Sequence, residues 1–297
     1  MTAIGVAACG TLEEEAPLEQ APAPITASYK GVPEDAQVAF QEAVDIWSAC
    51  LVSDVPIKIH LEWIPRGPTG FATPHSHRNE PHLPVADVWY PAALSNALRG
   101  ARKDDLDDMN IFLSARANWY YGPVGGIAED QIDFVNVAVH EIAHGLGLSS
   151  TTFTPWDGEG GRKSTLGTPN PFVTFFNYTF PDPIMDGTPS YYDTLVRTSD
   201  GRSLTEFPND SLVLTEALED PGIVFIGQKT AAENGGAPLG VTPGNITHIP
   251  MQPGKPTPIM LSDSGQGESL RQPDRLLLAM LEDMGWTISE ACRARAV

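Results

Sequence analysis

Residues Val139 to Leu148 read Val-His-Glu-Ile-Ala-His-Gly-Leu-Gly-Leu and close a stretch that is apolar almost all round, with Ile132, Phe134, Val135, Val137, Ala138, Val139, Ile142, Ala143 and Leu146. Read as a helix, such a stretch has no solvent face and must run through a core. His140 and His144, four residues apart, then lie one above the other, because 3.6 residues make a turn. Two neutral imidazoles so placed can grip one Zn²⁺ at about 2.0–2.1 Å each. Glu141, beside the first of them, can take a proton from a zinc-bound water. Gly145 and Gly147 are expected to stop the helix, since glycine readily adopts a left-handed end, and Asp130 or Asp133 can cap its start. The competing reading is a core helix whose histidines make ordinary structural hydrogen bonds.

A catalytic zinc takes three protein ligands and leaves a fourth position open. In the HExxHxxGxxH arrangement the third histidine falls at position 150, which here is Ser150, a poor ligand. Beyond His144 one histidine remains, His248, followed by Pro258-Ile259-Met260-Leu261 and a helical pattern from Asp274 to Met284. Asp157, Asp182 and Asp186 compete for the same role, since oxygen ligands also suit zinc.

This order of elements resembles the metzincin clan of zinc peptidases, in its leishmanolysin-like branch with bacterial relatives. In that branch a long insertion separates the helix from the third histidine, and a methionine turn and a helix ending in an acidic-hydrophobic-Gly-aromatic run follow. Met260 matches the turn methionine, Leu281-Glu282-Asp283-Met284-Gly285-Trp286 matches the closing run, and the Trp119–Gly122 loop also looks like the bacterial members. The resemblance is specific at 139–148, 245–261 and 276–286; the many cysteines of leishmanolysin and any cysteine-switch propeptide are missing. It implies an α+β metzincin-like catalytic domain, with a twisted mixed sheet on the active helix and a C-terminal subdomain. It further implies a metallopeptidase with one zinc on His140, His144 and His248, Glu141 as catalytic base and Met260 as the floor of the site. A peptide substrate would lie antiparallel to an edge strand expected between Ile111 and Asp130.

Composition narrows the partners. The chain of 297 residues carries a net charge of −20 and 27 each of Gly and Pro, which describes a turn-rich globular protein that disfavours nucleic acid and anionic membranes. No loop has the alternating oxygen ligands of a calcium site, so Ca²⁺ is unsupported. No apolar run approaches the roughly 18 residues of a membrane span. Val6-Ala7-Ala8-Cys9-Gly10 is similar to a bacterial lipobox, without the basic start and long apolar core of a full signal. A lipid on Cys9 would be the one membrane attachment of an exported enzyme, extracellular, cell-surface or periplasmic, that is expected to be a monomer. Cys50 and Cys292 are either a disulfide joining an early helix to the C-terminus or two buried thiols.

The chain divides into 1–33 (a lipobox-like start, either a truncated signal or an accidental resemblance, and an acidic Pro/Ala tether), 34–150 with the HExxH helix, 151–247 as a loop-rich insertion, and 248–297 with His248, Met260 and the closing helix. Helical spacing covers 34–50, 90–98 and 274–284, with a less regular pattern at 211–219. Strand patterns cover 55–64, 110–114, 172–180 and 223–226, while 191–197 is ambiguous. The stretch 67–84 reads as a Pro-rich loop, and such a loop holds His75, His77 and His82 poorly as metal ligands. Two other classes remain open: a non-proteolytic zinc-binding surface or adhesion protein on a metallopeptidase fold, and a structural zinc closed by a fourth protein ligand.

Overall fold

The computed structural model describes residues 23–154, 163–167, 187–262 and 266–296. The lipobox-like start, the 172–180 strand pattern, Asp157, Asp182 and Asp186 lie outside the described residues.

The architecture is α+β, with helices packed on small sheets. The main sheet has four strands: β1 (Ile25–Lys30), β2 (Ile57–Ile64), β3 (Gly70–Pro74) and β6 (Met109–Ser114), in the order β1-β2-β6-β3. The first three in that order run parallel, and β3 is antiparallel to β6 at the edge. Two short strands, β4 (Ser76–His77) and β5 (Tyr90–Pro91), pair antiparallel, and β7 (Trp119–Tyr120) pairs with β8 (Ile132–Asp133). Helix α1 (Glu34–Cys50) and helix α3 (Phe134–Leu146) pack together beside this sheet, with α2 (Ala92–Arg99) adjoining. α1 buries Phe40, Val44 and Trp47, and the Trp47 indole donates to the Val139 carbonyl at 3.0 Å, so one aromatic fills the core and fixes the helix spacing.

Three expectations are corrected. Residues 25–30, assigned to the tether, form β1: Ile25 is buried and the whole stretch pairs with Ile57–Glu62 of β2. Its acidic, Pro/Ala-rich neighbours mask a short period-2 stretch. The 67–84 loop contains two strands, β3 and β4, where Pro74 ends one and so conceals it. Finally, β6 is interior, flanked by β2 and β3, and β7 belongs to a separate pair; the sheet edge beside α3 is β3, not a strand between Ile111 and Asp130.

Past residue 187 the insertion holds short elements. A 3-10 turn at Asp193–Leu195 leads into β9 (Val196–Arg197), which with β10 (Val224–Phe225) and β11 (Leu239–Gly240) makes a three-stranded antiparallel sheet. Helices α4 (Leu212–Leu218) and α5 (Gln228–Glu233) intervene. The insertion does not end cleanly at 247, because α5 packs on α6 (Arg275–Asp283). The Asp283 carboxylate accepts from the backbone N–H groups of Lys229 and Thr230 at 2.9 and 2.8 Å and so caps α5. α6 is itself capped by Asp274 and followed by Gly285 at φ 108°, and the Trp286 indole donates to the Leu146 carbonyl at 2.9 Å. The closing run thus seals the end of α3.

Cys50, at the end of α1, is disulfide-bonded to Cys292 in α7 (Glu290–Arg295) across 242 residues of sequence. Among the described residues no helix is long and apolar enough to cross a membrane. Replacing both cysteines by serine frees a loop that long in the unfolded chain, which costs about 2–5 kcal/mol. Thermal melts of the double variant are expected to show Tm lowered by on the order of 10 °C, and an unchanged Tm would mean that the bond contributes nothing.

Candidate metal centre

Helix α3 is fixed at both ends. Asp133 is its N-cap, accepting from the Asn136 backbone N–H at 3.1 Å. The same carboxylate takes Arg271 Nε at 2.9 Å and the Ser269 hydroxyl, while the guanidinium also donates to Glu42 Oε1 at 2.9 Å and to the Gly122 carbonyl at 2.5 Å. A buried ion pair is costly unless its remaining donors and acceptors are matched; here α1, the 122 loop, α3 and the C-terminal segment match them. At the other end the helix stops after Leu146, with Gly147 at φ 141° as the cap. Gly145 therefore does not end the helix, as the sequence suggests: it lies within it, where a side chain would run into Met109 of β6.

His140 and His144 stand on one face, their rings 4.7 Å apart. The turn around Asn245 brings His248 against both, with ring separations of 5.2 and 4.9 Å, and the three ligating nitrogens lie within 4.8 Å of one another. Second partners decide which nitrogens are free. His140 Nδ1 faces the Ile259 carbonyl at 2.8 Å, His144 Nδ1 the Leu148 carbonyl at 2.5 Å, and His248 Nδ1 the Asn245 Oδ1 at 2.8 Å. Oxygens of this kind only accept, so each Nδ1 carries the proton and each neutral ring leaves Nε2 bare. Burial lowers the proton affinity of all three rings, that of His248 to about 3, with His140 adding to the effect at His144 and His248. None is therefore an imidazolium near neutral pH.

His140 Nε2 and His144 Nε2 are 3.0 Å apart. Neither has a proton to share, so this is not a hydrogen bond but two lone pairs facing each other. A cation between them turns that repulsion into ligation. The donor set, three imidazoles each oriented by a fixed oxygen, fits Zn²⁺. Among the described residues the cluster holds these three ligands and no fourth.

Glu141 lies on the same helix, buried, and Oε2 has no hydrogen-bond partner. Burial alone pushes its pKa up to about 8. Gly70, the first residue of β3, clears the space beside it: a Cβ there would come 2.6 Å from Glu141 Oε1. Met260 is fully buried in a turn in which the Leu261 N–H donates to the Pro258 carbonyl at 3.1 Å, and the residue before it supplies the carbonyl that orients His140. Ser150 is no ligand: its hydroxyl donates to the buried Asp193 at 2.5 Å. Asp193 also accepts from the backbone N–H groups of Thr151 and Ser190, at 3.1 and 2.9 Å, and thereby folds the chain just past the helix.

Sequence reasoning finds the three histidines, Glu141 and Met260, and misses Asn245, the Ile259 and Leu148 carbonyls, and Gly70. Backbone acceptors leave no residue-type signal. Asn245, three residues before His248, is the one partner that a local pattern shows.

A family model described as SPBPB7E8-like matches residues 90–160, a stretch that includes α2, β6 and α3. No curated protein and no solved structure matches the chain.

Two measurements probe this geometry. His248→Ala is expected to weaken zinc affinity at least a hundredfold in equilibrium dialysis, while Ser150→Ala leaves it within a few fold; the opposite ranking would place the third ligand elsewhere. The second concerns the metal-free protein. A raised carboxyl pKa means that Glu141 contributes fully to stability below about pH 4.5 and loses that contribution as pH rises to about 8. The histidines, with lowered values, have the opposite sign, and their contribution is complete once pH exceeds their ordinary value of 6.5. Melts in EDTA should therefore show Tm falling between about pH 6.5 and 8, and Glu141→Gln should abolish that fall.

Proposed function

We propose that the chain is a zinc-dependent peptidase of the leishmanolysin-like metzincin type, acting on peptide or protein substrates. The single observation that carries the reading is an unpartnered buried carboxylate, Glu141, set beside three imidazoles whose bare nitrogens converge. When bound there, zinc supplies a Lewis acid that polarises a scissile carbonyl and acidifies the attacking water. His140, His144 and His248 would hold it through Nε2, and the oxygens of Ile259, Leu148 and Asn245 keep the rings aimed.

Glu141 is the base. A cation held by the histidines would favour its ionised form; the carboxylate accepts a proton at the unpartnered Oε2 as water attacks and delivers it to the departing amine nitrogen. Gly70 holds open the space that this carboxylate occupies. Substrate is aligned on β3, which lies at the sheet edge beside α3 and offers backbone pairing for affinity. A structural zinc would call for a fourth protein ligand and has no use for a bare carboxylate. The Cys50–Cys292 bond supports an exported enzyme working in an oxidising compartment.

Glu141→Gln tests the reading: zinc content measured by mass spectrometry should stay at the wild-type level while casein cleavage falls by about 10²–10⁴-fold. Undiminished cleavage by the zinc-loaded variant would remove Glu141 from its role, and a wild-type protein that binds zinc without cleaving would favour the surface-binding reading.

A further inference from the structure

Where β3 ends, the chain enters a second cluster of metal-ligating side chains, away from the first. His75 follows Pro74, His77 lies in β4, and Asp104 comes from the turn after α2. Their ligand atoms lie within 4.8 Å of one another. His75 Nε2 is 3.9 Å and His77 Nε2 3.6 Å from Asp104 Oδ2, too long for hydrogen bonds. The two rings stand at 88° to each other with centroids 5.4 Å apart.

His77 is the telling residue. Its side chain is 3% exposed, yet Nε2 has no hydrogen-bond partner. On the other side of the ring, Nδ1 is 3.0 Å from the Ser95 hydroxyl, which is itself 3.2 Å from His82 Nε2. If Ser95 donates to His82, it accepts from His77 Nδ1–H, and His77 Nε2 is then a bare lone pair aimed at Asp104. Lys103, next to Asp104 in sequence, is engaged by Glu80 at 2.6 Å.

The third ligand is held in place from behind. Asp104 Oδ1 accepts from the Leu106 N–H at 3.1 Å, which leaves Oδ2 turned to the histidines. Its turn is anchored by the buried Asp108, which takes Arg102 at 2.5 Å and Asn96 at 2.8 Å. Two imidazoles and a carboxylate are borderline donors that suit Zn²⁺, with bonds of about 2.0–2.2 Å and ligand atoms roughly 3.3 Å apart in a tetrahedron. The two histidine–carboxylate spacings, 3.9 and 3.6 Å, need to contract by roughly 0.3–0.6 Å to reach that separation. The sequence reading offers no helix or turn to orient His75, His77 and His82; in the fold, β4 carries His77 and the Asp108-anchored turn carries Asp104, while His82 lies outside the cluster.

We propose that His75, His77 and Asp104 form a second zinc site, with solvent at the fourth position, that cross-links the end of edge strand β3 to the 100–108 turn. The site is independent of the peptidase reading. Its test uses the full chain loaded with Zn²⁺ and dialysed. Wild type should hold two ions per chain, His140→Ala/His144→Ala one, and His77→Ala/Asp104→Asn one. Adding Zn²⁺ to the His140→Ala/His144→Ala protein at about a hundredfold over Kd should raise Tm by about 5 °C, a shift that the further change His77→Ala removes. Should a variant fail to fold, zinc-edge anomalous scattering from wild-type crystals decides, with a peak expected between His75, His77 and Asp104. A single ion in wild type that survives His77→Ala/Asp104→Asn, two ions retained after that change, or no anomalous peak there would overturn the proposal, whatever the outcome for proteolysis.

Discussion

The structure depends on running one polar site through an apolar helix. α3 is buried along nearly its whole length, and each fully buried Phe, Val, Ile or Leu on it contributes about 1.5–3 kcal/mol. That gain commits His140, His144 and Glu141 to the interior, where an unmatched polar group costs about 1–3 kcal/mol in proteins. The fold meets this cost by bringing carbonyl oxygens to the Nδ1 atoms and gathering the Nε2 atoms at one point. Glu141 is left unmatched at one oxygen. The residual cost is concentrated where the proposed chemistry needs a base.

The supports of this site come from remote segments. Arg271 reaches Asp133, Glu42 and Gly122, so the entry of the helix is tied to the C-terminal part and to α1. Trp286 ties the exit of the helix to the closing run, and the disulfide ties α1 to α7. These links join the N-terminal sheet and the C-terminal segment across the same helix, which keeps His248 in register with its partners.

Much of this was legible in the sequence, because it rests on periodicity and residue type. The spacing of Val38 to Leu51 marks α1, the alternation of Ile57, Ile59 and Leu61 marks β2, and the HExxH pattern marks a helix that carries two histidines of the candidate metal cluster. His248 stood out by elimination, and the structure places it beside the pair. What stayed hidden is carried by backbone. β3 contains Pro74 and half-buried residues and so lacks a strand pattern, and its edge position follows from pairing with β6. Gly70 looked like a loop glycine, although its lack of a Cβ is what admits Glu141. Asp104 sits in a polar turn that reads as solvent-facing until Asp108 and Arg102 are seen to anchor it.

The insertion leaves the site at Leu148, whose carbonyl orients His144, and returns at His248, whose ring stands 4.9 Å from that of His144. A detour of about a hundred residues therefore departs from and arrives at one spot. Its ends are also pinned from within, by Asp193 on the Thr151 N–H and by the Tyr192 hydroxyl on the Ile246 carbonyl at 2.5 Å. Length added elsewhere in the excursion, away from these anchors, leaves the base of the insertion intact, since doubling a flexible loop adds only about 0.6 kcal/mol of closure cost.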